Sequence, residues 1–122
     1  MIIGVGIDIC PIDRIREILE RQGVAFEERV YTPAERAYAQ GAARYDRLAA
    51  RWAAKEAAIK ALNAPSGIGW HDISVSNSET GAPSLILDGI ARDHADKLGV
   101  NNIMLSMTHA GGQAVAVVIM EG

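Results

Sequence analysis

The side chains that could carry out chemistry are few and widely spaced along the sequence. Asp8 interrupts an otherwise apolar segment, and because a lone buried carboxylate is costly, it needs a cation, a metal ion or a helix N-terminus as its partner. Glu56 lies in an alanine-rich segment. Two carboxylates without a cysteine cluster or paired histidines suit a hard cation. Asp8 and Glu56 are therefore candidate ligands of Mg²⁺, or of Mn²⁺ in its place, rather than of zinc.

Both carboxylates also have simpler structural explanations. Asp8 could cap the helix that follows it, although Asp13 is also well placed for that region. Glu56 and Lys60 stand four residues apart with the acid first, which is the favourable order for an ion pair on a helix. An exposed pair of this kind contributes roughly 0.3–0.5 kcal/mol. Spacing alone therefore leaves two interpretations open: a solvated surface pair, or a metal ligand followed one turn later by a phosphate-binding cation.

His109 precedes a Gly-Gly turn, where an ordinary turn residue and a site residue are both plausible interpretations. Ser106 and Thr108 alternate with Met107, so their hydroxyls face the side opposite its apolar side chain. The spacing shows no Ser-His-Asp arrangement, and Cys10 has no activating neighbour in the sequence. Nucleophilic catalysis by a serine or cysteine of this chain is therefore not indicated.

The composition is that of one domain with an aliphatic core. The chain has 122 residues, 49% of them hydrophobic and only one of them Phe. Its formal charge of −3 and its pI near 5.5 give no general attraction to nucleic acid or to an anionic membrane. The single cysteine, the lack of a long apolar segment and the absence of signal-peptide features favour a reducing compartment. We predict one domain over residues 1–122 in the cytoplasm, with no nucleic-acid or membrane partner.

Hydrophobic periodicity and turn residues predict the element order β-α-α-α-β-β-α-β-β. The predicted strands are 1–9, 70–76, 84–87, 102–108 and 113–120, the predicted helices are 11–21, 33–40, 46–63 and 88–97, and residues 25–31 are expected to form a short helical turn. The helix over 46–63 is the longest and contains both Glu56 and Lys60. This order indicates an α+β fold, with helices packed on one face of a largely antiparallel sheet.

Two local patterns sharpen this prediction. Thr32, Pro33 and Glu35 have the types and spacing of a helix N-terminus, with Thr32 as the N-cap and Glu35 as the third helical residue. Gly4 and Gly6 lie on one face of the first strand, where another backbone can approach closely.

Four segments, in order and over nearly the full chain, resemble the motifs of the holo-acyl-carrier-protein synthases, which are small 4′-phosphopantetheinyl transferases. The segments are Ile2–Ile9 followed by Ile12–Ile15, Arg51–Ala57 with Lys60 and Ala61, Gly81–Pro83, and Ser106–His109. Each motif is weak alone, and the four together are specific. Trp52, where Phe is usual, and the 64–67 loop in place of Gly-Thr-Gly are most similar to the actinobacterial branch.

The resemblance implies a 4′-phosphopantetheinyl transferase fold and a reaction. The 4′-phosphopantetheine arm of coenzyme A would move to a serine of an apo acyl carrier protein, releasing adenosine 3′,5′-bisphosphate, in fatty acid or polyketide synthesis. The implied catalytic residues are Asp8 and Glu56, which would hold Mg²⁺ against the pyrophosphate, and Lys60, which would contact phosphate. The implied further contacts to coenzyme A are Arg51 and His109 near the 3′-phosphate, and Pro83 and Gly67 near the adenine.

The resemblance also implies two kinds of protein partner. The acidic carrier protein would dock on Arg14 and Arg21, with Ile18 making an apolar contact between them and Arg29 and Arg44 assisting. A homotrimer with active sites between subunits would explain a sheet face that buries the two glycines of the first strand.

Two other classes of protein fit the same residues. A non-catalytic α+β binding module would dock an acidic partner on its Arg-rich first helix without any dependence on Mg²⁺. A small nucleotide hydrolase would use the same carboxylate pair and turn over without a carrier protein.

Overall fold

The computed structural model describes all 122 residues and contains five strands, five α-helices and one 3₁₀ turn. The strands are β1 (Ile2–Pro11), β2 (Ile73–Asn77), β3 (Pro83–Leu87), β4 (Asn102–Ala110) and β5 (Gln113–Glu121). The helices are α1 (Ile12–Gln22), α2 (Val24–Val30), α3 (Pro33–Tyr38), α4 (Arg44–Ala61) and α5 (Gly89–Leu98), and the 3₁₀ turn covers Trp70–Asp72. No helix combines the length and the apolar composition needed to cross a lipid bilayer.

The strands form two antiparallel sheets. Three strands make one sheet in the order β1-β5-β4, and β2 pairs with β3 in the other. Asp8 on β1 and Met107 on β4 both pair with Ala116 of β5, whereas His109 pairs with Ala114. Strands lie about 4.8 Å apart and rise about 3.4 Å per residue, so the Cα atoms of Asp8 and His109 are roughly 12 Å apart on one face.

Helix α4 packs directly on the three-stranded sheet because small residues line the contact. The alanines of its inner face are buried. A Cβ atom on Gly4 would lie 1.9 Å from the carbonyl oxygen of Ala61, and one on Gly6 would lie 1.8 Å from that of Ala57. No side chain fits at these distances, so only glycine lets the helix backbone approach the strand this closely.

The opposite face of the same sheet is apolar and uncovered. On β1, Val5, Ile7 and Ile9 are each more than half exposed. Their cross-strand partners on β5 are Ile119, Val117 and Val115, in that order. Contiguous apolar surface of this kind marks an interaction site more often than a solvated face.

A buried ion pair fixes the other side of α4. Lys55 is fully buried and donates to the carboxylate of Glu35 at 2.8 Å, to the carbonyl oxygen of Trp70 at 3.1 Å and to that of Ile73. The second carboxylate oxygen of Glu35 accepts from the Val75 N–H at 3.1 Å. Burial lowers the pKa of Lys55, and Glu35 opposes that shift. Each of its polar atoms has a partner, so removing one member of the pair would leave an uncompensated buried charge.

The predicted α+β layout, with helices on one face of an antiparallel sheet, is confirmed. The N-terminus of α3 forms as predicted: the Thr32 hydroxyl accepts from the Glu35 N–H at 3.2 Å, and the Glu35 carboxylate accepts from the Thr32 N–H at 2.9 Å. The hairpin of β4 and β5 also forms, with longer strands than predicted.

Three expectations need correction. The strands divide into two sheets rather than one. Residues 70–72 were expected to begin a strand, but Asp72 accepts from the Gly69 N–H at 3.1 Å and holds this segment in a 3₁₀ turn. The glycine face of β1 is covered by α4 of the same chain, so it leaves no space there for another subunit.

We predict that Gly6→Ala destabilises the protein by at least about 2 kcal/mol, because α4 has to move off β1 to admit the methyl group. Urea unfolding followed by circular dichroism measures this change. The control is Gly69→Ala, since Gly69 has a φ of −83° and the nearest atom to its added Cβ is 3.7 Å away. That control should shift stability by no more than about 0.5 kcal/mol. Equal effects of the two changes would contradict the proposed close approach.

Candidate functional site

Asp8 and Lys60 are in contact where β1 meets the last turns of α4. The Lys60 ammonium donates to the Asp8 carboxylate at 3.3 Å and to the carbonyl oxygen of Ile7 at 2.9 Å. Asp8 therefore has a cation as its partner, and it does not cap α1, whose N-cap is Pro11. The Lys60 side chain is 53% exposed, which leaves it free to move toward a bound anion.

Glu56 lies beside this pair and has no cation of its own. No ion pair forms between Glu56 and Lys60 within 4 Å, although the helical spacing allows one. Burial raises the pKa of the Glu56 carboxyl, the charge of Asp8 raises it further, and Lys60 opposes the shift. Part of the shift is therefore repulsion between the two carboxylates, which a bound cation would relieve.

These two carboxylates suit a hard cation, but they supply only two side-chain ligands. The structure contains no group of three or more His, Cys, Asp or Glu side chains arranged to hold a metal. A cation held by Asp8 and Glu56 would therefore complete its coordination with water and ligand oxygens, which is how Mg²⁺ is commonly bound beside phosphates.

A cavity of about 340 Å³ opens on the N-terminal half of α4. It brings together three residues that the resemblance assigns to coenzyme A: Arg51, Pro83 and His109. The full lining is Tyr38, Ala43, Asp46, Arg47, Ala50, Arg51, Asn77, Gly81, Pro83, Met107, Thr108 and His109. Gly67 is not part of it, so within one chain the 64–69 loop does not share a cavity with Pro83.

Arg51 is the most deeply placed cation of this cavity. Its residue is only 2% exposed, and its guanidinium donates to the side-chain oxygen of Asn77. Burial lowers the pKa of Arg51, while Glu35 raises it. The buried Nε atom of Arg51 has no hydrogen-bond partner. A buried guanidinium with an unpaired N–H and no carboxylate within 4 Å favours a bound anion.

The residues expected to bind an acidic partner are all near the surface, and their surroundings differ. Arg14 and Arg21 of α1 are exposed and have no carboxylate within 4 Å, and Ile18 between them is half-buried. Arg29 donates to the side chain of Gln22 at 3.1 Å. Arg44 is already engaged, because it pairs with Glu27 at 2.8 Å.

The sequence alone assigned no site role to Tyr38, Arg47 or Asn77, which line the same cavity as Arg51. Arg47 precedes Arg51 by four residues, so the two share one face of α4. That spacing could have indicated from the sequence that Arg47 lies beside Arg51. Tyr38 and Asn77 come from other elements, and only the folded chain brings them to α4.

Comparison with known proteins agrees with this fold and this site. The sequence profile of the 4′-phosphopantetheinyl transferase superfamily matches residues 4–118. The holo-[acyl-carrier-protein] synthase of Anaeromyxobacter dehalogenans strain 2CP-1 is 52% identical, covering 100% of this chain and 98% of its own. The one from Solibacter usitatus is 47% identical over 99% of both chains.

Solved structures give the same result. The holo-[acyl-carrier-protein] synthase of Neisseria meningitidis is 31% identical over the whole of both chains, with a TM-score of 0.87. The Helicobacter pylori enzyme, solved in complex with coenzyme A, is also 31% identical, covers 96% of this chain and 99% of its own, and has a TM-score of 0.84.

The antiparallel sheets, the central helix and the matching profile define a transferase of the α+β class. The chain belongs to the 4′-phosphopantetheinyl transferase superfamily. The resemblance to the holo-[acyl-carrier-protein] synthases within it is confirmed over the full chain.

We predict that Glu56→Gln raises the melting temperature at pH 7 in the absence of divalent cations. The pKa of Glu56 is raised in the folded protein, so ionising Glu56 costs stability as the pH rises, and glutamine removes that cost. The advantage should disappear below about pH 4, near the ordinary pKa of glutamate, where the wild-type side chain is already protonated.

Thermal melts from pH 3.5 to 8 test this dependence. Glu79→Gln, at an exposed turn, is the matched control and should show no such trend. A melting temperature for Glu56→Gln that falls below that of the wild type at pH 7 would contradict the raised pKa of Glu56, to which burial contributes most and the charge of Asp8 next.

Proposed function

We propose that this protein transfers the 4′-phosphopantetheine group of coenzyme A to a serine of an apo acyl carrier protein, releasing adenosine 3′,5′-bisphosphate. The observation that carries this proposal is the arrangement around α4. Near one end of the helix, Glu56 and Lys60 lie close to Asp8 of β1, and near the other end Arg51 lines a cationic cavity. Between Arg51 and Glu56 the helix rises about 7.5 Å. A ligand with phosphates at two points suits this arrangement, and coenzyme A has a pyrophosphate and a 3′-phosphate. The Helicobacter pylori relative was solved with coenzyme A bound.

Asp8 and Glu56 would hold Mg²⁺, which when bound neutralises charge on the pyrophosphate. Lys60 would leave Asp8 and contact a phosphate oxygen, since its side chain is half exposed. Arg51 and His109 would bind the 3′-phosphate, and Pro83 would pack against the adenine. The attacking serine belongs to the carrier protein, which explains why the chain has no nucleophile of its own.

The carrier protein would dock on α1. Arg14 and Arg21 are exposed, and neither has a carboxylate within 4 Å, so both charges remain available to an acidic partner. Ile18 lies between them. Arg29 and Arg44 would assist, although Arg44 has to leave Glu27 to do so. The reaction would serve fatty acid or polyketide synthesis in the cytoplasm, where the lone buried Cys10 stays reduced.

We predict that incubation with apo carrier protein, coenzyme A and Mg²⁺ adds the mass of one phosphopantetheine to the carrier. Intact-protein mass spectrometry measures the gain. Glu56→Gln should lower the turnover at least about a hundredfold, since it removes charge stabilisation at the reacting phosphate. Glu79→Gln is the control and should transfer at the wild-type rate.

Two outcomes would defeat this proposal. They are the absence of a mass gain from a folded protein with several carriers, and release of nucleotide without a carrier, which would favour a nucleotide hydrolase. Near-normal turnover by Glu56→Gln would contradict the assignment of Glu56 as a metal ligand.

We propose further that the protein is a homotrimer with active sites between subunits, and that the uncovered face of the three-stranded sheet forms the contact. Val5, Ile7 and Ile9 expose 56%, 60% and 56% of their surface there. Asp8 and Lys60 border this face, because the surface depression that they line also includes Ile7, Ile9 and Val115. A second subunit on this face would therefore lie next to Asp8 and Lys60.

We predict that size-exclusion chromatography with light scattering gives the mass of three chains and that Val5→Glu gives the mass of one. A carboxylate at the centre of an apolar contact cannot be hydrated there. Ile86→Glu is the matched control, because Ile86 is 45% exposed on the other sheet and should leave the assembly intact. A trimer that survives Val5→Glu would place the contact elsewhere.

A further inference from the structure

Arg47 has no role in the proposed reaction, yet it lines the same cavity as Arg51 and His109. Its guanidinium donates to the carbonyl oxygen of Tyr38 at 2.8 Å and lies 4.6 Å from the centroid of the Tyr38 ring. The guanidinium of Arg51 lies 4.4 Å from the same centroid. A single aromatic ring therefore holds two guanidinium groups at the cavity wall.

This arrangement concentrates positive charge that the protein itself does not neutralise. No carboxylate lies within 4 Å of either guanidinium, and Asp46, the one acid in the lining, pairs with neither. Two cations on one ring repel each other: burial is the main reason that the pKa of Arg51 is lowered, and the charge of Arg47 lowers it further. The buried Nε of Arg51 also lacks a partner. Each of these costs is reduced when an anion enters.

The number of cations indicates which anion fits. A phosphomonoester carries about −1.5 to −2 charges at neutral pH, whereas a diester or a carboxylate carries about one. Guanidinium groups suit phosphate because they donate two parallel hydrogen bonds. In coenzyme A the 3′-phosphate is the monoester, whereas each phosphorus of the pyrophosphate has one ester and one anhydride bond and carries about one negative charge.

We propose that Arg47 is a specificity-determining residue, which together with Arg51 binds the 3′-phosphomonoester and makes the enzyme select coenzyme A over 3′-dephospho-coenzyme A. Tyr38 is the positioning residue that holds both guanidiniums toward the cavity. This inference rests on the proposed function, because it names a substrate group for the same site.

The test compares two substrates that differ only in the 3′-phosphate. Arg47→Gln should lower kcat/KM for coenzyme A by about ten- to a hundredfold, mainly through KM, as expected for the loss of a charge-assisted hydrogen bond. For 3′-dephospho-coenzyme A it should change kcat/KM less than twofold. Arg47→Lys keeps the charge and should recover part of the loss. Arg92→Gln, at an exposed arginine of α5, is the matched control and should change neither value. Equal losses on both substrates would overturn the proposal.

A binding measurement separates this inference from the proposed reaction. Isothermal titration calorimetry compares adenosine 3′,5′-bisphosphate with adenosine 5′-monophosphate. The wild type should prefer the bisphosphate, and Arg47→Gln should reduce that preference at least about tenfold. If the preference survives in Arg47→Gln, the role of Arg47 is wrong even when transfer occurs. A third outcome is that the wild type shows no transfer, while Arg47→Gln loses the preference for the bisphosphate. In that case the proposed reaction is wrong, and the assignment of Arg47 to a phosphate-binding site is supported.

Discussion

The rest of the structure depends on the close approach of α4 to β1. Gly4 and Gly6 have no side chain, and the carbonyl groups of Ala61 and Ala57 occupy the space that a Cβ would need. The backbone of the helix therefore lies directly against the backbone of the strand, with no side chain between them. Asp8 is the next residue on the glycine face of β1. The same contact that buries the helix brings Asp8 next to Glu56 and Lys60.

Two rows of side chains on α4 then contact different parts of the structure. Arg47, Arg51 and Lys55 are spaced four apart and face α3 and the two-stranded sheet, while Glu56 and Lys60, also four apart, face β1. Lys55 anchors its row through Glu35, which is itself part of the N-terminal cap of α3. The buried pair thus sets the position of the helix from one side and the glycines set it from the other. A helix held on both sides can keep two ligand-binding regions at a constant separation.

Local patterns predicted most of this fold, and long-range contacts account for what they missed. The cap at Thr32, the β4–β5 hairpin and the long helix follow from residue types and spacing within a few residues. The contact between Lys60 and Asp8 joins residues 52 positions apart, so no local pattern contains it. Glu35 was correctly predicted as a capping residue, but its bond to Lys55 depends on tertiary packing. Arg47 was missed because charges four apart on a helix usually belong to a solvated face.

The candidate site has like charges near each end of α4. These charges lower the stability of the folded protein when no ligand is bound. Asp8 and Glu56 repel each other at one end, and Arg47 and Arg51 repel each other at the other. In both places the repulsion raises the free energy of the empty protein and falls when a counter-charge binds. Binding then stabilises the fold by an amount that grows with the logarithm of the ligand concentration above Kd. The overall charge of −3 conceals this separation, because the cavity is cationic and the carboxylate end anionic. A divalent cation reduces the repulsion at the carboxylate end, and the phosphates of a substrate reduce it in the cationic cavity. Both repulsions are reduced only when the substrate and the cation bind together.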